Sequence, residues 1–78
     1  MNYLHAKNRE ETVKIIHDVI DLVSAKFNPG TTQVSYRNGF VFELCPPKDY
    51  EDQTIQKYIK RLTRLANRVK RSPKKYWS

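Results

Sequence analysis

The sequence predicts an α+β fold in which a helix, a β-hairpin and a second helix follow one another along a chain of 78 residues. Two stretches carry apolar residues at helical spacing, and they flank a stretch in which apolar and polar residues alternate around an Asn-Gly pair. A chain of this length forms one small domain. We therefore expect residues 1–78 to be a single domain with both helices packed on one face of a two-stranded antiparallel sheet.

The first helix is predicted over about residues 9–27. Asn8 and Glu11 have the spacing of an N-cap and its N3 partner, a variant of the capping box. Asn28-Pro29-Gly30 is expected to end the helix, because proline cannot continue the hydrogen-bond ladder and glycine suits a reversal. The apolar residues of one helical face are Val13, Ile16, Val19, Ile20, Val23 and Phe27.

Ile15 and Leu22 lie beside this face and widen it to roughly half of the helix circumference. A small sheet does not need so wide an apolar surface. Two explanations stay open. Either the helix is wedged between the hairpin and the second helix, or Ile15 and Leu22 face another subunit in a homodimer.

The hairpin is predicted over about residues 32–45, and its register depends on the turn. A two-residue loop would place Val34 on the same face as Glu43. A three-residue loop, a type I turn with Gly39 in the left-handed position, instead pairs Val34 with Phe42. The hydrophobic pattern favours the second register, since a one-residue slip exchanges the faces. Its inner face carries Val34, Tyr36, Phe40, Phe42 and Leu44. Its outer face carries Gln33, Ser35, Val41 and Glu43.

The second helix is predicted over about residues 50–71, between Asp49 as its N-cap and the stop at Ser72-Pro73. Glu51 and Asp52 fall in the first turn, where the helix dipole favours negative charge. An apolar arc of about 120° faces the core. It consists of Ile55, Tyr58, Ile59, Leu62, Leu65, Ala66 and Val69.

The net charge of +7 is concentrated at one end of the chain. Residues 1–46 carry five basic and five acidic side chains. Residues 53–78 carry nine basic side chains and no acidic one. The C-terminal third is therefore expected to present a cationic surface.

Most of these charges share one side of the second helix, within an arc of about 100° that does not overlap the apolar arc. This basic ridge consists of Lys57, Lys60, Arg61, Arg64, Arg68 and Arg71, with Lys74 and Lys75 extending it along the tail. Like charges one turn apart repel by a few tenths of a kcal/mol per pair. Phosphate groups relieve this repulsion and release counterions when they bind. The sequence therefore predicts a nucleic-acid surface that contacts phosphate backbone, with DNA and RNA left open.

Base contacts are a weaker hypothesis. Gln56 and Asn67 border the basic ridge and have the chemistry that reads adenine edges. Tyr76, beside Trp77 in the tail, has a ring that stacks on unpaired bases. The chain carries no helix-turn-helix pair and no zinc-finger spacing.

The alternative function is a small regulatory or inhibitory protein that docks on the acidic surface of a protein partner. Ile15, Leu22, Arg37 or Val41 would then join the interface. We expect neither catalysis, nor a metal, nor a cofactor, because His5, His17 and Cys45 match no catalytic or ligand spacing. A single cysteine and the lack of a signal-like or membrane-spanning segment indicate a cytoplasmic protein without membrane association.

Overall fold

The structure, a computed structural model, describes residues 2–36 and 41–71, which form two helices and a three-stranded sheet. The predicted α+β class is confirmed. The elements are β1 (Asn2–Ala6), α1 (Arg9–Ser24), β2 (Thr32–Tyr36), β3 (Val41–Leu44) and α2 (Asp52–Arg71). Neither helix is long and apolar enough, within the described residues, to cross a bilayer.

The predicted helix–hairpin–helix order with a two-stranded sheet is wrong, because the chain begins with a third strand. β1 pairs in parallel with β2, and β2 pairs antiparallel with β3, so β2 is central. Parallel neighbours need a long crossover, and α1 supplies it. A two-stranded sheet is marginal in water, and β1 widens it.

The predicted hairpin register is confirmed where the structure describes it. Val34 lies opposite Phe42, and Gln33 lies opposite Glu43. On the outer face the Gln33 Nε2 donates to Glu43 Oε1 at 2.9 Å. The loop of residues 37–40, with the predicted turn at Gly39, lies outside the described residues.

The start of α1 agrees with the prediction. The backbone N–H of Glu11 donates to the Asn8 Oδ1 at 2.9 Å, so Asn8 is the N-cap. The Glu11 carboxylate reaches back and accepts from the Lys7 backbone N–H at 2.8 Å. One N–H group of the first helical turn, that of Glu11, and the N–H of Lys7 just before the cap are thus satisfied by side chains.

The end of α1 comes three residues before the predicted end. Lys26 takes a left-handed conformation, with φ of 59°, and its N–H donates to Val23 O at 2.9 Å. The Phe27 N–H donates to Leu22 O, also at 2.9 Å. These two bonds form a Schellman motif with lysine at a position that usually holds glycine. Gly30 belongs to the loop that follows.

The start of α2 is displaced from the predicted one. The helix begins at Asp52, so Asp49 is not its N-cap. Asp49 instead interacts with the Thr54 side chain and accepts from the Glu51 N–H at 3.1 Å. These hydrogen bonds, first that with Thr54 and then that with Glu51, lower the pKa of Asp49. The Asp49 side chain therefore closes a turn ahead of the helix. The end at Arg71 agrees with the prediction.

The predicted apolar faces of both helices meet in one core together with the inner face of the sheet. Ile15 is partly buried against this core, which accounts for it without a second subunit. Leu22 stays 39% exposed, and Phe27, predicted inside the helix, is 58% exposed beyond its end. The buried core consists of Ala6, Ile16, Val19, Ile20, Val23, Val34, Leu44, Ile55, Tyr58, Leu62, Ala66 and Val69.

Polar contacts also tie α2 to the rest of the fold. The buried Tyr58 hydroxyl donates to the Cys45 carbonyl, just after β3, at 2.6 Å. Burial raises the pKa of Tyr58 above its usual value, and a smaller opposing effect comes from the nearby Arg61. The Lys26 ammonium pairs with Asp52 at 3.3 Å and joins the end of α1 to the start of α2.

Candidate nucleic-acid interface

The basic ridge lies on the side of α2 that faces away from the core. All six of its side chains are exposed. At a rise of 1.5 Å per residue, the distance along the helix from Lys57 to Arg71 is about 21 Å. The ridge is therefore long enough to follow several phosphates of a nucleic-acid backbone, which are spaced by about 3.4 Å of rise on each strand.

Carboxylates do not neutralise the ridge. Within residues 2–36 and 41–71, no Asp or Glu forms an ion pair with any of its six members. Asp52 pairs with Lys26, and the ridge begins one turn later. Its charge is thus exposed to whatever approaches α2.

One side of the ridge borders an open groove between α2 and the end of β3, with a volume of about 350 Å³. Arg61, Arg64 and Arg68 line the helix wall of this groove, which we name the arginine groove. Leu62 and Leu65 contribute apolar surface beneath them. The opposite wall carries Glu43, Leu44 and Cys45, and Tyr58 also lines the groove.

A second groove, of about 360 Å³, adjoins the first and shares Cys45, Tyr58 and Arg61 with it. We name it the proline groove, because Pro46 and Pro47 form part of its wall. Its basic residues besides Arg61 are Lys48 and Lys57. We name the two adjoining grooves together the channel. Both of its parts are lined by basic side chains and by apolar ones.

The predicted site residues divide into four groups. Arg61, Arg64 and Arg68 line the arginine groove, and Lys57 lines the proline groove. Lys60 and Arg71 are exposed on the ridge but line neither groove. Gln56 and Asn67 are also exposed and line neither groove, since they border the ridge on its other side. The tail residues Lys74, Lys75 and Tyr76 lie outside the described residues.

Sequence reasoning missed the wall opposite α2. Glu43 and the segment from Cys45 to Lys48 form this wall, yet none of them was a predicted site residue. A signal was present in the chain. The connection between the end of β3 and the start of α2 is short, so its residues have to lie near the first turns of that helix.

The described residues do not bring together a catalytic cluster. The His5 Nδ1 lies 3.2 Å from the Ser35 Oγ, at the opposite edge of the sheet from Cys45. His17 is exposed on α1, and Cys45 is exposed just after the last paired residue of β3. No three His, Cys, Asp or Glu side chains among residues 2–36 and 41–71 group as metal ligands. That the chain is not an enzyme stays a prediction.

Comparison of this chain with protein-family models, with curated proteins and with solved structures gives no significant match. The assignment of a function therefore depends on the charge and geometry of α2 and of its two grooves.

Proposed function

We propose that this chain is a small basic nucleic-acid-binding protein that contacts phosphate backbone through α2. One observation carries the proposal. The six members of the basic ridge are exposed on one face of one helix, and no carboxylate of the described residues pairs with them. A surface that exists only for solubility usually mixes both signs of charge, since opposite charges one turn apart stabilise a helix.

Phosphate contacts have a quantitative signature. Each phosphate that a basic side chain neutralises releases condensed counterions, so the binding constant falls as salt rises. If all six ridge residues make contacts, the slope of log K against log salt is about −5 for a duplex and about −4 for a single strand. A protein partner held by an apolar centre would respond less to salt.

The test is fluorescence anisotropy with labelled duplex DNA, duplex RNA and single strands of one mixed sequence, at two salt concentrations. The variant Arg61→Glu/Arg64→Glu reverses two ridge charges. Its matched control, Lys7→Glu/Lys14→Glu, changes the net charge equally at exposed positions outside α2. We expect salt-sensitive binding that the ridge variant loses and the control largely keeps. Absence of binding at low salt, or equal losses in both variants, would overturn the proposal.

A second candidate is a regulatory or inhibitory protein that docks on an acidic protein surface. The exposure of Leu22 and Phe27 near the end of α1 favours it, because apolar side chains there are available for an interface. Leu22→Ser would weaken such docking and leave nucleic-acid binding unchanged. A homodimer through Leu22 is also a prediction, and sedimentation equilibrium measures it.

We further expect this binding to take place in the cytoplasm. Cys45 is the chain's one cysteine, so no disulfide within the chain is available to stabilise it in an oxidising compartment.

A further inference from the structure

We infer that the arginine groove seats an unpaired base, which makes single-stranded nucleic acid the preferred ligand. This inference rests on the proposed function and adds a substrate class to it. The ridge alone explains attraction to phosphate, but it does not explain why one side of the ridge borders apolar surface. A ligand that combines phosphates with exposed ring faces fits both features.

The helix wall of the groove has the chemistry for such a ligand. All three of its charged residues are arginines, namely Arg61, Arg64 and Arg68, and they lie at spacings of three and four residues. A guanidinium binds phosphate through paired hydrogen bonds and also stacks on a ring, whereas an ammonium does neither. Unpaired bases are commonly recognised by stacking on arginine planes.

The apolar part of the groove separates single strands from duplexes. Leu62 is buried and Leu65 is half-buried, and both line the groove beneath the arginines. A duplex keeps its ring faces stacked inside, so it would leave this apolar surface in contact with water. A single strand can turn a base toward the half-buried Leu65 and bury apolar area on both partners.

The proline groove continues the path for the neighbouring nucleotide. It shares Arg61 with the arginine groove and adds Lys48 and Lys57 beside the two prolines. Basic side chains again stand beside apolar surface there. The channel thus repeats the same pairing of charge and apolar surface over two adjoining sites.

The experiment compares two double variants of the full chain that each remove two ridge charges. Arg61→Ala/Arg68→Ala removes two of the three arginines on the helix wall of the groove, whereas Lys60→Ala/Arg71→Ala removes two ridge residues that line neither groove. Anisotropy is measured with labelled oligo(dC) and with a mixed-sequence DNA duplex. We expect the wild-type protein to prefer the single strand. We expect the groove variant to lose about tenfold or more in single-strand affinity, in line with the loss of hydrogen bonds to charged groups, and the other variant to lose clearly less.

Failure of this inference is distinguishable from failure of the proposed function. If neither probe binds at low salt, both fail. If both probes bind with equal affinity and the two variants lose equally, the ridge binds phosphate without using the groove, and only the inference is overturned. Competition by poly(glutamate) as strong as that by oligo(dC) would likewise overturn the inference alone, because a polyanion without bases would then suffice.

Discussion

The two helices differ in the charge of the side chains that lie one turn away from their basic residues. Lys14 in α1 has Glu10 and Asp18 one turn away on either side. Arg64 in α2 has Lys60 and Arg68 at the same spacing. All of these side chains are exposed. The charges of α1 therefore support its helix, and those of α2 oppose it.

The two helices nevertheless bury their apolar faces in the same core. Ile16 of α1 and Leu62 of α2 are both buried, and each helix carries five buried residues. Formation of the core therefore requires a buried apolar face from both helices. It does not account for the unmixed basic charge of α2. A local arrangement that opposes stability and is not needed for packing is consistent with the binding function that we propose for α2.

The largest expected effect comes from the core that the helices share. Ile16→Ala removes a fully buried side chain and should lower the free energy of unfolding by about 2–5 kcal/mol. Leu65→Ala, at a half-buried position of the arginine groove, should have a clearly smaller effect. Urea unfolding followed by circular dichroism measures both. Equal losses would mean that the groove surface belongs to the core.

A smaller effect is expected from one substitution made in each helix. Asn8→Ala removes the N-cap of α1 and should destabilise the protein by about 1 kcal/mol. Asn67→Ala, at an exposed position within α2, should stabilise it by up to about 0.7 kcal/mol, because alanine is the better helix former. Thermal unfolding distinguishes the two signs. Two losses of similar size would show that the Asn67 amide makes a stabilising contact.

Loss of the hydrogen bond between α2 and the residue after β3 should change the free energy of unfolding by a comparable or smaller amount. Tyr58→Phe removes the hydrogen bond to the Cys45 carbonyl and should destabilise the protein by about 0.5–1.5 kcal/mol. The raised pKa of Tyr58 adds a pH dependence. Its contribution should be complete below a pH of about 10, the usual tyrosine pKa, and should disappear as pH rises through the higher pKa of the folded state. Urea unfolding of both proteins between pH 8 and 11 tests whether their difference shrinks as expected.

The smallest effect tests the comparison of the helices most directly. Arg64→Glu creates opposite-charge pairs with Lys60 and Arg68, so it should raise stability by a few tenths of a kcal/mol. Lys14→Glu creates like-charge pairs with Glu10 and Asp18 and should lower stability by a similar amount. For a chain of this size the two melting temperatures should move apart by a few degrees at low salt, as ~1 kcal/mol corresponds to about 4–8 °C. Shifts of the same sign in the two variants would show that the like charges of α2 do not destabilise its helix.

The helices and the hairpin register could be predicted because strong local patterns define them. The spacing of Ile16, Val19 and Val23 is helical, and the alternation through Val34 and Phe42 selects one register. The end of α1 could not be predicted from the same pattern. Lys26 holds the left-handed position that glycine usually takes, and no composition rule marks a lysine for it.

β1 could not be predicted because its local signal is weak. The strand has Asn, His and Ala among its five residues, and these are poor or neutral strand formers. Its place in the sheet depends on pairing with β2 across α1, which a local pattern does not record. The basic ridge could be predicted from spacing alone, but the wall that Glu43 and Cys45 contribute required the path of the chain between β3 and α2.

The parallel pairing of β1 with β2 has a consequence for the order of folding. His5 and its partner Ser35 are 30 residues apart in the chain, whereas β2 and β3 are joined by a short connection. Closing the longer loop has the greater entropy cost, so the hairpin should form before β1 docks. β1 should then be the first strand to open in native-state hydrogen exchange, while α2 keeps its protection on the remaining core. The helix for which we propose nucleic-acid binding would then stay folded while β1 opens.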